Sequence, residues 1–349
     1  MRSDEQLMQR CIQLAKFGAG NVAPNPMVGA VLVYEDKIIG EGYHKKFGEA
    51  HAEVNCINSV DKKNKSLIEK STIYVSLEPC AHHGKTPPCA DLIIQKKIKK
   101  VVIGCKDIYK EVAGKGIEKM QNAGVEVVSG VLEIECRDLN KRFFTFHQKK
   151  RPYIILKWAQ SANGKIGSKN GERILISNDY TNRLVHKWRS EEAAILIGTN
   201  TALKDDPSLT IRFWKGKNPV RIVIDKQLKL PSPLKIFNQE APTIIFNCLK
   251  NSLKKNLQFI EIERENFIGK MLHSLYENNI QSVLIEGGSK TLQSFIDVDL
   301  WDEARIITNE EMIIEDGIDA PEMKKFLFEY QENYFNDWLR FYKNKENAF

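Results

Sequence analysis

Two α/β domains in tandem are what this sequence predicts, on three observations. Its 349 residues exceed what one ordinary domain holds. Short apolar, β-branched runs alternate along the chain with segments of helical spacing, the pattern of strands covered by helices. Near residues 146–152 the charge run His147-Gln148-Lys149-Lys150-Arg151 and Pro152 interrupt that alternation, which then restarts. The expected division is therefore 1–147 and 148–349.

In the first half, Leu7, Met8, Cys11, Leu14 and Ala15 recur at helical spacing and predict a helix from Asp4 to about Phe17, closed by Gly18 and Gly20. Met27 to Tyr34 is apolar and β-branched, hence a buried strand. The charged turn Glu35-Asp36-Lys37 leads to a second strand near Ile38-Ile39. Glu49 to Ser59 reads as a helix, Thr72 to Leu77 as a strand and Cys89 to Gln95 as a helix. Val101 to Gly104 and Val125 to Val128 complete the first domain as strands. The second domain reads as strand Tyr153 to Trp158, helix Ser177 to Arg189, and strands Ala194 to Ile197, Val220 to Ile224 and Thr243 to Phe246. Helix Phe267 to Tyr276, strand Ser282 to Ile285, helix Lys290 to Ile296 and strand Ala304 to Thr308 follow. The aromatic-rich tail from Lys324 to Phe349 carries no motif and reads as a packed terminal segment.

Composition narrows the function. Hydrophobic residues make up 42% and charged residues 28%, which is globular and not disordered. The net charge of +7 is spread along the chain, with its densest runs at Lys96-Lys97 with Lys99-Lys100 and at Lys149-Lys150-Arg151. No aromatic-studded basic stripe accompanies the lysines, so a solvated surface is expected rather than a nucleic-acid partner. Seven cysteines without paired spacing do not form a secreted disulfide framework. Cys11, Cys56, Cys105, Cys136 and Cys248 read as small buried hydrophobes. The N-terminus has no signal-peptide core, and no apolar run approaches the roughly 18 residues of a membrane helix. The expected location is the cytoplasm, with no membrane partner.

The chemistry sits in His51-Ala52-Glu53, Pro79-Cys80 and Cys89. The order H-x-E, P-C, C is the signature of zinc-dependent base deaminases. His51, Cys80 and Cys89 would hold one zinc ion and leave its fourth position open to a water of lowered pKa, as in a catalytic site. Glu53 is then the carboxylate that moves protons between that water and a departing amine. Cys89 follows Pro87-Pro88 at a helix start, where unpaired N–H groups favour a thiolate. A closed structural site would need a fourth ligand, which His82 or His83 could supply. Nucleoside and tRNA deaminases pair their cysteines as C-x-x-C, whereas eight residues separate Cys80 from Cys89.

In the second domain, residues 198–212 and 285–292 form two polar, turn-rich segments next to strands. Gly287-Gly288 lies between a strand and a helix, where a phosphate could approach backbone N–H groups. It is not a G-x-G-x-x-G fingerprint, so no Rossmann site is indicated.

Leu77-Glu78-Pro79-Cys80-Ala81-His82-His83-Gly84-Lys85-Thr86-Pro87-Pro88-Cys89, together with Pro24-Asn25-Pro26-Met27-Val28-Gly29, resembles the bifunctional deaminase/reductases of riboflavin biosynthesis. The resemblance runs from Asp4 to about Thr308. It implies a cytidine-deaminase-like α/β/α domain that deaminates a phosphoribosylated diaminohydroxypyrimidine. It also implies a dihydrofolate-reductase-like domain that reduces the ribosyl group to ribityl with NADPH. Carried over residue by residue, Asn25, His44 and Glu53 meet the pyrimidine, and His82 and Lys85 lie near the ribose phosphate. Ala159, Thr201 and Asp205 fall on the NADPH side, with Gly288, Ser289, Lys290, Thr291, Leu292, Gln293 and Ser294 along its phosphates. Arg189, Leu209, Arg212 and Glu286 fall on the substrate side. There the two arginines suit a phosphate as forked donors, and Asp205 would polarise or protonate the opening ribosyl group. The match departs at Asn163, where the family has aspartate, and at Arg173 and Leu175, where serine and tryptophan are usual. The expected partner is a small phosphoribosyl pyrimidine, with self-association into a homo-oligomer compatible. The alternatives are a deaminase with a vestigial reductase domain, a tRNA or nucleoside deaminase with an appended binding domain, and a zinc-stabilised interaction protein.

Overall fold

In the computed structural model, which describes residues 2–82, 87–108 and 113–347, the first helix starts where Ser3 and Gln6 cap each other. The Gln6 amide donates to Ser3 Oγ at 3.2 Å and the Ser3 amide to Gln6 Oε1 at 3.0 Å, the reciprocal pairing of a capping box. The helix, Asp4–Ala15, buries Leu7, Met8, Cys11, Ile12, Leu14 and Ala15 on one face. A single 3-10 turn, Lys16–Gly18, replaces its expected last residues.

The chain divides into the units Met1–Lys149 and Lys150–Phe349. In the first, five strands lie in the order Lys37–Tyr43, Gly29–Tyr34, Thr72–Leu77, Lys100–Cys105, Glu126–Ser129. The first two pairings are antiparallel and the last two parallel. Alternate side chains feed two cores. Ala30, Leu32, Ile73, Val75, Val101 and Ile103 face Cys56, Ile57, Ile93 and Met120 of one helical layer. Val31, Val33, Tyr74, Leu77, Val102 and Cys105 face Leu7, Met8, Cys136 and Phe144 of the other. Burial on both faces explains why the inner strands read as unbroken apolar runs instead of alternating ones.

The structure adds helices Lys115–Asn122, Glu133–Leu139 and Lys141–Lys149, which the sequence reading passed over. The last of these continues through His147-Gln148-Lys149, so those residues do not interrupt the periodicity. The break comes one residue later, at Lys150, whose φ of 55° is left-handed. Cys11, Cys56, Cys105 and Cys136 are buried, while Cys248 is partly exposed.

Helix Ala52–Asn58 packs so closely on strand Lys37–Tyr43 that a Cβ added at Gly42 would lie 2.2 Å from the Cys56 nitrogen and 2.6 Å from the Ala52 oxygen. Both are backbone atoms, so the helix must move. Gly42→Ala is expected to destabilise the first unit by about 1–3 kcal/mol, read as a lower melting temperature.

The second unit is built on a ten-stranded sheet in the order Ser252–Lys254, Leu257–Glu261, Thr243–Asn247, Val220–Ile224, Ala194–Gly198, Ser282–Ile285, Tyr153–Ser161, Glu303–Asn309, Asp337–Asn344, Phe326–Tyr334. Its seven central strands, from Leu257–Glu261 to Glu303–Asn309, run parallel. The tail is not simply packed down. It forms an antiparallel hairpin at the sheet edge, with Leu339 and Phe341 buried while Phe326, Phe328 and Tyr330 are exposed. Two buried arginines brace this unit. Arg151 pairs with Asp302 through contacts of 2.6 and 2.8 Å. Arg221 reaches Thr243 Oγ1, Asn238 Oδ1 and the carbonyls of Lys235 and Ala241 at 2.9–3.1 Å. Among the described residues no helix is long and apolar enough to cross a membrane.

Candidate active sites

Three chain segments deliver the metal-binding atoms of the first unit. His51 occupies the extended N-cap position of helix Ala52–Asn58. Cys80 follows the end of strand Thr72–Leu77, and Cys89 opens helix Cys89–Gln95, its amide donating to Cys80 Sγ at 3.4 Å. His51 Nδ1 lies 3.7 Å from Cys80 Sγ and 3.4 Å from Cys89 Sγ, and all three ligand atoms fall within 4.8 Å of one another. Tetrahedral zinc with bonds of about 2.3 Å to sulfur and about 2.0 Å to nitrogen puts such atoms about 3.5 Å apart. The donor set fits zinc. Hydrogen bonds from Cys89 and His51 bring the Cys80 thiol down to about 4, whereas Cys89, sharing its proton with Cys80 and buried, is pushed up. One sulfur is thus already a thiolate, and a bound cation displaces the remaining proton. Among the described residues this ligand cluster stops at three. His82 is exposed and outside it, and His83 and Lys85 lie outside the described residues.

Glu53, two residues past His51, is 3% exposed. Burial, then the neighbouring Cys80, raises its carboxyl, so it holds a proton more readily than a surface glutamate. His44 stands beside His51, its ring 5.3 Å away and edge-on to it. His44 Nδ1 lies 3.1 Å from the Ala50 carbonyl, which only accepts, so that nitrogen carries the hydrogen. Nε2 is then free to accept from Asn25 Nδ2 at 3.3 Å. Burial keeps His44 neutral by lowering its pKa. The structure therefore gathers Asn25, His44, His51, Glu53, Cys80 and Cys89.

Glu78 was missed as a site-building residue. Its buried carboxylate accepts the amides of Asp107, Gly114, Gly116 and Ile117 at 3.0–3.3 Å, the last three at or beside the start of helix Lys115–Asn122. A Cβ added at Gly116 would lie 2.0 Å from the Pro79 oxygen, so this helix start abuts the turn carrying Cys80. A charged residue directly after an apolar strand was the available signal.

In the second unit, helix Asp179–Glu191 is capped by Asn178, whose Oδ1 accepts from the Tyr180 and Thr181 amides at 3.0 Å. Near its end Arg189 meets Glu286 in a bidentate pair, Nε to Oε1 and Nη2 to Oε2, both 2.8 Å. Lys157 Nζ stands 3.8 Å from Glu286 Oε2. Burial disfavours the Glu286 charge, but Arg189 and Lys157 outweigh it and hold the carboxyl at about 2. Burial lowers the Lys157 pKa. The fork of Arg189 is thus engaged by a carboxylate. Lys157 and His186, neither singled out in the sequence, belong to this cluster.

Next to it, Gly288 donates its amide to Thr201 Oγ1 at 3.0 Å. Gly198 and Gly288 cap helices Thr199–Asp205 and Ser289–Asp297 just past neighbouring parallel strands, the crevice where α/β sheets bind ligands. A Cβ at Gly198 would lie 2.4 Å from Thr291 Oγ1, and one at Gly287 2.8 Å from Thr291 Cβ, so a side chain at either elbow would displace Thr291. A helix start at such a crevice suits a phosphate. Ala159 is partly buried on strand Tyr153–Ser161, beside strand Ser282–Ile285. Ser289, Lys290 and Thr291 line the first turn, whereas Leu292 is fully buried in the core. Gln293 bonds Asp297 at 2.9 Å, and Ser294 Oγ bonds the Thr291 carbonyl at 2.7 Å. Leu209, at φ 54°, packs its side chain into the core with Ile195, Ile197 and Ile236, leaving only backbone to offer a ligand. Asp205 is exposed at a helix end; desolvation still raises its carboxyl, opposed by the positive charges of Arg173 and Lys204. Asn163 ties its turn down, accepting from Ser161 Oγ at 2.6 Å and donating to the Ile314 carbonyl at 2.9 Å. Leu175 is 75% exposed.

Residues 1–105 match the cytidine and deoxycytidylate deaminase zinc-binding region, and residues 152–309 match the RibD C-terminal domain. The riboflavin biosynthesis protein RibD of Aquifex aeolicus is 42% identical over 306 residues, 86% of this chain and 85% of that protein. The chain belongs to the RibD family. The Escherichia coli RibD is 33% identical over 318 residues, 86% of each protein. A solved Thermotoga maritima diaminohydroxyphosphoribosylaminopyrimidine deaminase/5-amino-6-(5-phosphoribosylamino)uracil reductase superposes with a TM-score of 0.90 at 38% identity, covering 98% of each chain. As a member of this family, the chain is a bifunctional enzyme of riboflavin biosynthesis, a zinc deaminase joined to an NADPH-dependent reductase. Its first domain is cytidine-deaminase-like and its second dihydrofolate-reductase-like. The alternatives of a tRNA or nucleoside deaminase, a vestigial reductase and a zinc-stabilised interaction protein give way to it.

Proposed function

We propose that the first unit deaminates the diaminohydroxyphosphoribosylaminopyrimidine named for the Thermotoga relative, and that the second reduces the resulting phosphoribosylaminouracil. The convergence of His51, Cys80 and Cys89 beside buried Glu53 carries the first half. Zinc, when bound by those three residues, supplies the Lewis acidity that makes water a nucleophile near neutral pH. Asn25 and His44 orient the pyrimidine. Glu53 takes a proton from the attacking water and delivers one to the departing amine, which leaves as ammonia while the ring gains oxygen. His82 and Lys85 take the ribose phosphate.

In the reductase, NADPH supplies the hydride, with Ala159, Thr201, Asp205 and the residues from Gly288 to Ser294 on its side. Of these, Leu292 acts by packing the helix. Arg212 meets the substrate phosphate, and Asp205 donates to the ring oxygen as the ribosyl group opens. Leu209 contributes backbone. Glu286 faces the substrate with Arg189 and Lys157 holding its charge. Free cysteines in a thiol-ligated metal site support a cytoplasmic location. The exposed edge strand Phe326–Tyr334 is the surface through which a homo-oligomer would form.

Chelation separates the two activities. Enzyme stripped of zinc is expected to lose ammonia release from the diaminopyrimidine yet still oxidise NADPH with the already deaminated substrate. Ammonia release that survives in metal-free enzyme, or NADPH left untouched by the deaminated pyrimidine, would overturn the corresponding half.

A further inference from the structure

We infer that His186 is a positioning residue of the reductase site, whose unprotonated Nδ1 holds the main chain of Arg212 so that the exposed guanidinium meets the substrate phosphate. His186 is 1% exposed and lies one helical turn before Arg189 on helix Asp179–Glu191. The Arg212 amide points at its Nδ1 at 3.2 Å. A backbone N–H only donates, so Nδ1 must carry a lone pair. Burial, then Arg189 and Arg212, lower the imidazole pKa to about 4 and support that neutral form. The ring also stands edge-on to Phe213 at 4.9 Å.

The segment around Arg212 touches the same helix twice more. Lys187 Nζ sits 5.8 Å above the Trp214 ring, and a Cβ at Gly216 would lie 2.7 Å from Ser190 Cβ. Both of these are packing contacts; His186 gives this segment a directional one. One helix thereby sets two arginines in different states. Arg189 is buried against Glu286, whereas Arg212 is exposed, with its guanidinium 5.7 Å from the Phe213 ring centroid. An exposed cation on a loop selects a phosphate only if its backbone is fixed, because ordering a free loop on binding costs affinity.

This role presupposes the phosphate-side placement of Arg212 proposed above, and the test separates the two. NADPH oxidation is followed with the deaminated phosphoribosylaminouracil and with its dephosphorylated form, in His186→Asn, His186→Leu and Arg212→Ala. Asparagine Oδ1 replaces the Nδ1 acceptor, while leucine keeps volume without it. His186→Leu is expected to raise KM for the phosphorylated substrate about tenfold, the worth of one directional hydrogen bond. Its kcat, its KM for the dephosphorylated form and its NADPH affinity should stay near wild type, and His186→Asn should restore KM. If leucine is tolerated and asparagine is not, His186 is a packing residue and the proposal falls. Loss of NADPH affinity in both variants also overturns it, as general damage to the unit. If Arg212→Ala weakens the phosphorylated and the dephosphorylated substrate equally, the phosphate placement falls and takes His186 with it. If Arg212→Ala weakens only the phosphorylated substrate and His186→Leu weakens neither, His186 alone is refuted.

Discussion

Glu53→Gln is expected to cut ammonia release by about three orders of magnitude while zinc stays bound at one ion per chain. A positioned proton-transfer group contributes roughly 10²- to 10⁴-fold, and the loss expected at Glu53 is the middle of that range. Glu53 is fully enclosed, and burial with the adjacent Cys80 raises its carboxyl towards the range where a group both takes and returns protons. Glutamine keeps its shape and hydrogen-bonding reach but cannot accept and return a proton. The substitution removes no metal ligand, because the three ligand atoms belong to His51, Cys80 and Cys89. Nor should it cost fold stability, since it removes a buried ionisable group and leaves no cavity. Ammonia release, metal analysis and NADPH oxidation with the deaminated substrate, measured on one sample, decide the matter. Release within tenfold of wild type with zinc in place would remove Glu53 from the proton path.

Much of the deaminase site was legible because its chemistry is compressed in sequence. His51 and Glu53 are two apart, and only eight residues separate Cys80 from Cys89. Strand Thr72–Leu77 and helix Cys89–Gln95 appear with the expected bounds because each is a short apolar block marked by proline, Pro79 just after the strand and Pro87-Pro88 just before the helix. The reductase cluster was less legible for the opposite reason. Lys157, Arg189 and Glu286 are far apart in sequence and meet because strands Tyr153–Ser161 and Ser282–Ile285 pair in parallel. Sequence pattern reports a strand's faces but not its neighbours. Helix Thr199–Asp205 was hidden by Thr199-Asn200-Thr201, poor helix formers that read as a turn. The tail hairpin did carry a signal, since Phe326, Phe328 and Tyr330 alternate with period two, but their exposure gave no core to pair with.

Glu286→Gln is expected to destabilise the second unit by about 3–5 kcal/mol, the cost of stripping a buried cation of its partner, and to abolish measurable NADPH oxidation. The wild-type carboxylate balances two cations, Arg189 at 2.8 Å and Lys157 at 3.8 Å. Lys157, already pushed down by burial, can relieve its share by releasing a proton, but Arg189 cannot. The effect should depend on pH in a defined direction. Glu286 falls from an ordinary 4.5 to about 2 in the folded protein, so its contribution is complete above about pH 4.5 and fades as pH drops towards 2. The melting-temperature gap between wild type and Glu286→Gln should therefore narrow below pH 4.5. Stability and chemistry are separable here. Replacing all three charges together, as Lys157→Met, Arg189→Met and Glu286→Leu, leaves no unpaired ion and should recover much of the lost stability. It should not recover hydride transfer, because the groups proposed to face the substrate are gone. A triple variant that melts near wild type and still oxidises NADPH with the deaminated pyrimidine would make the cluster a structural feature of the fold rather than part of the reductase site.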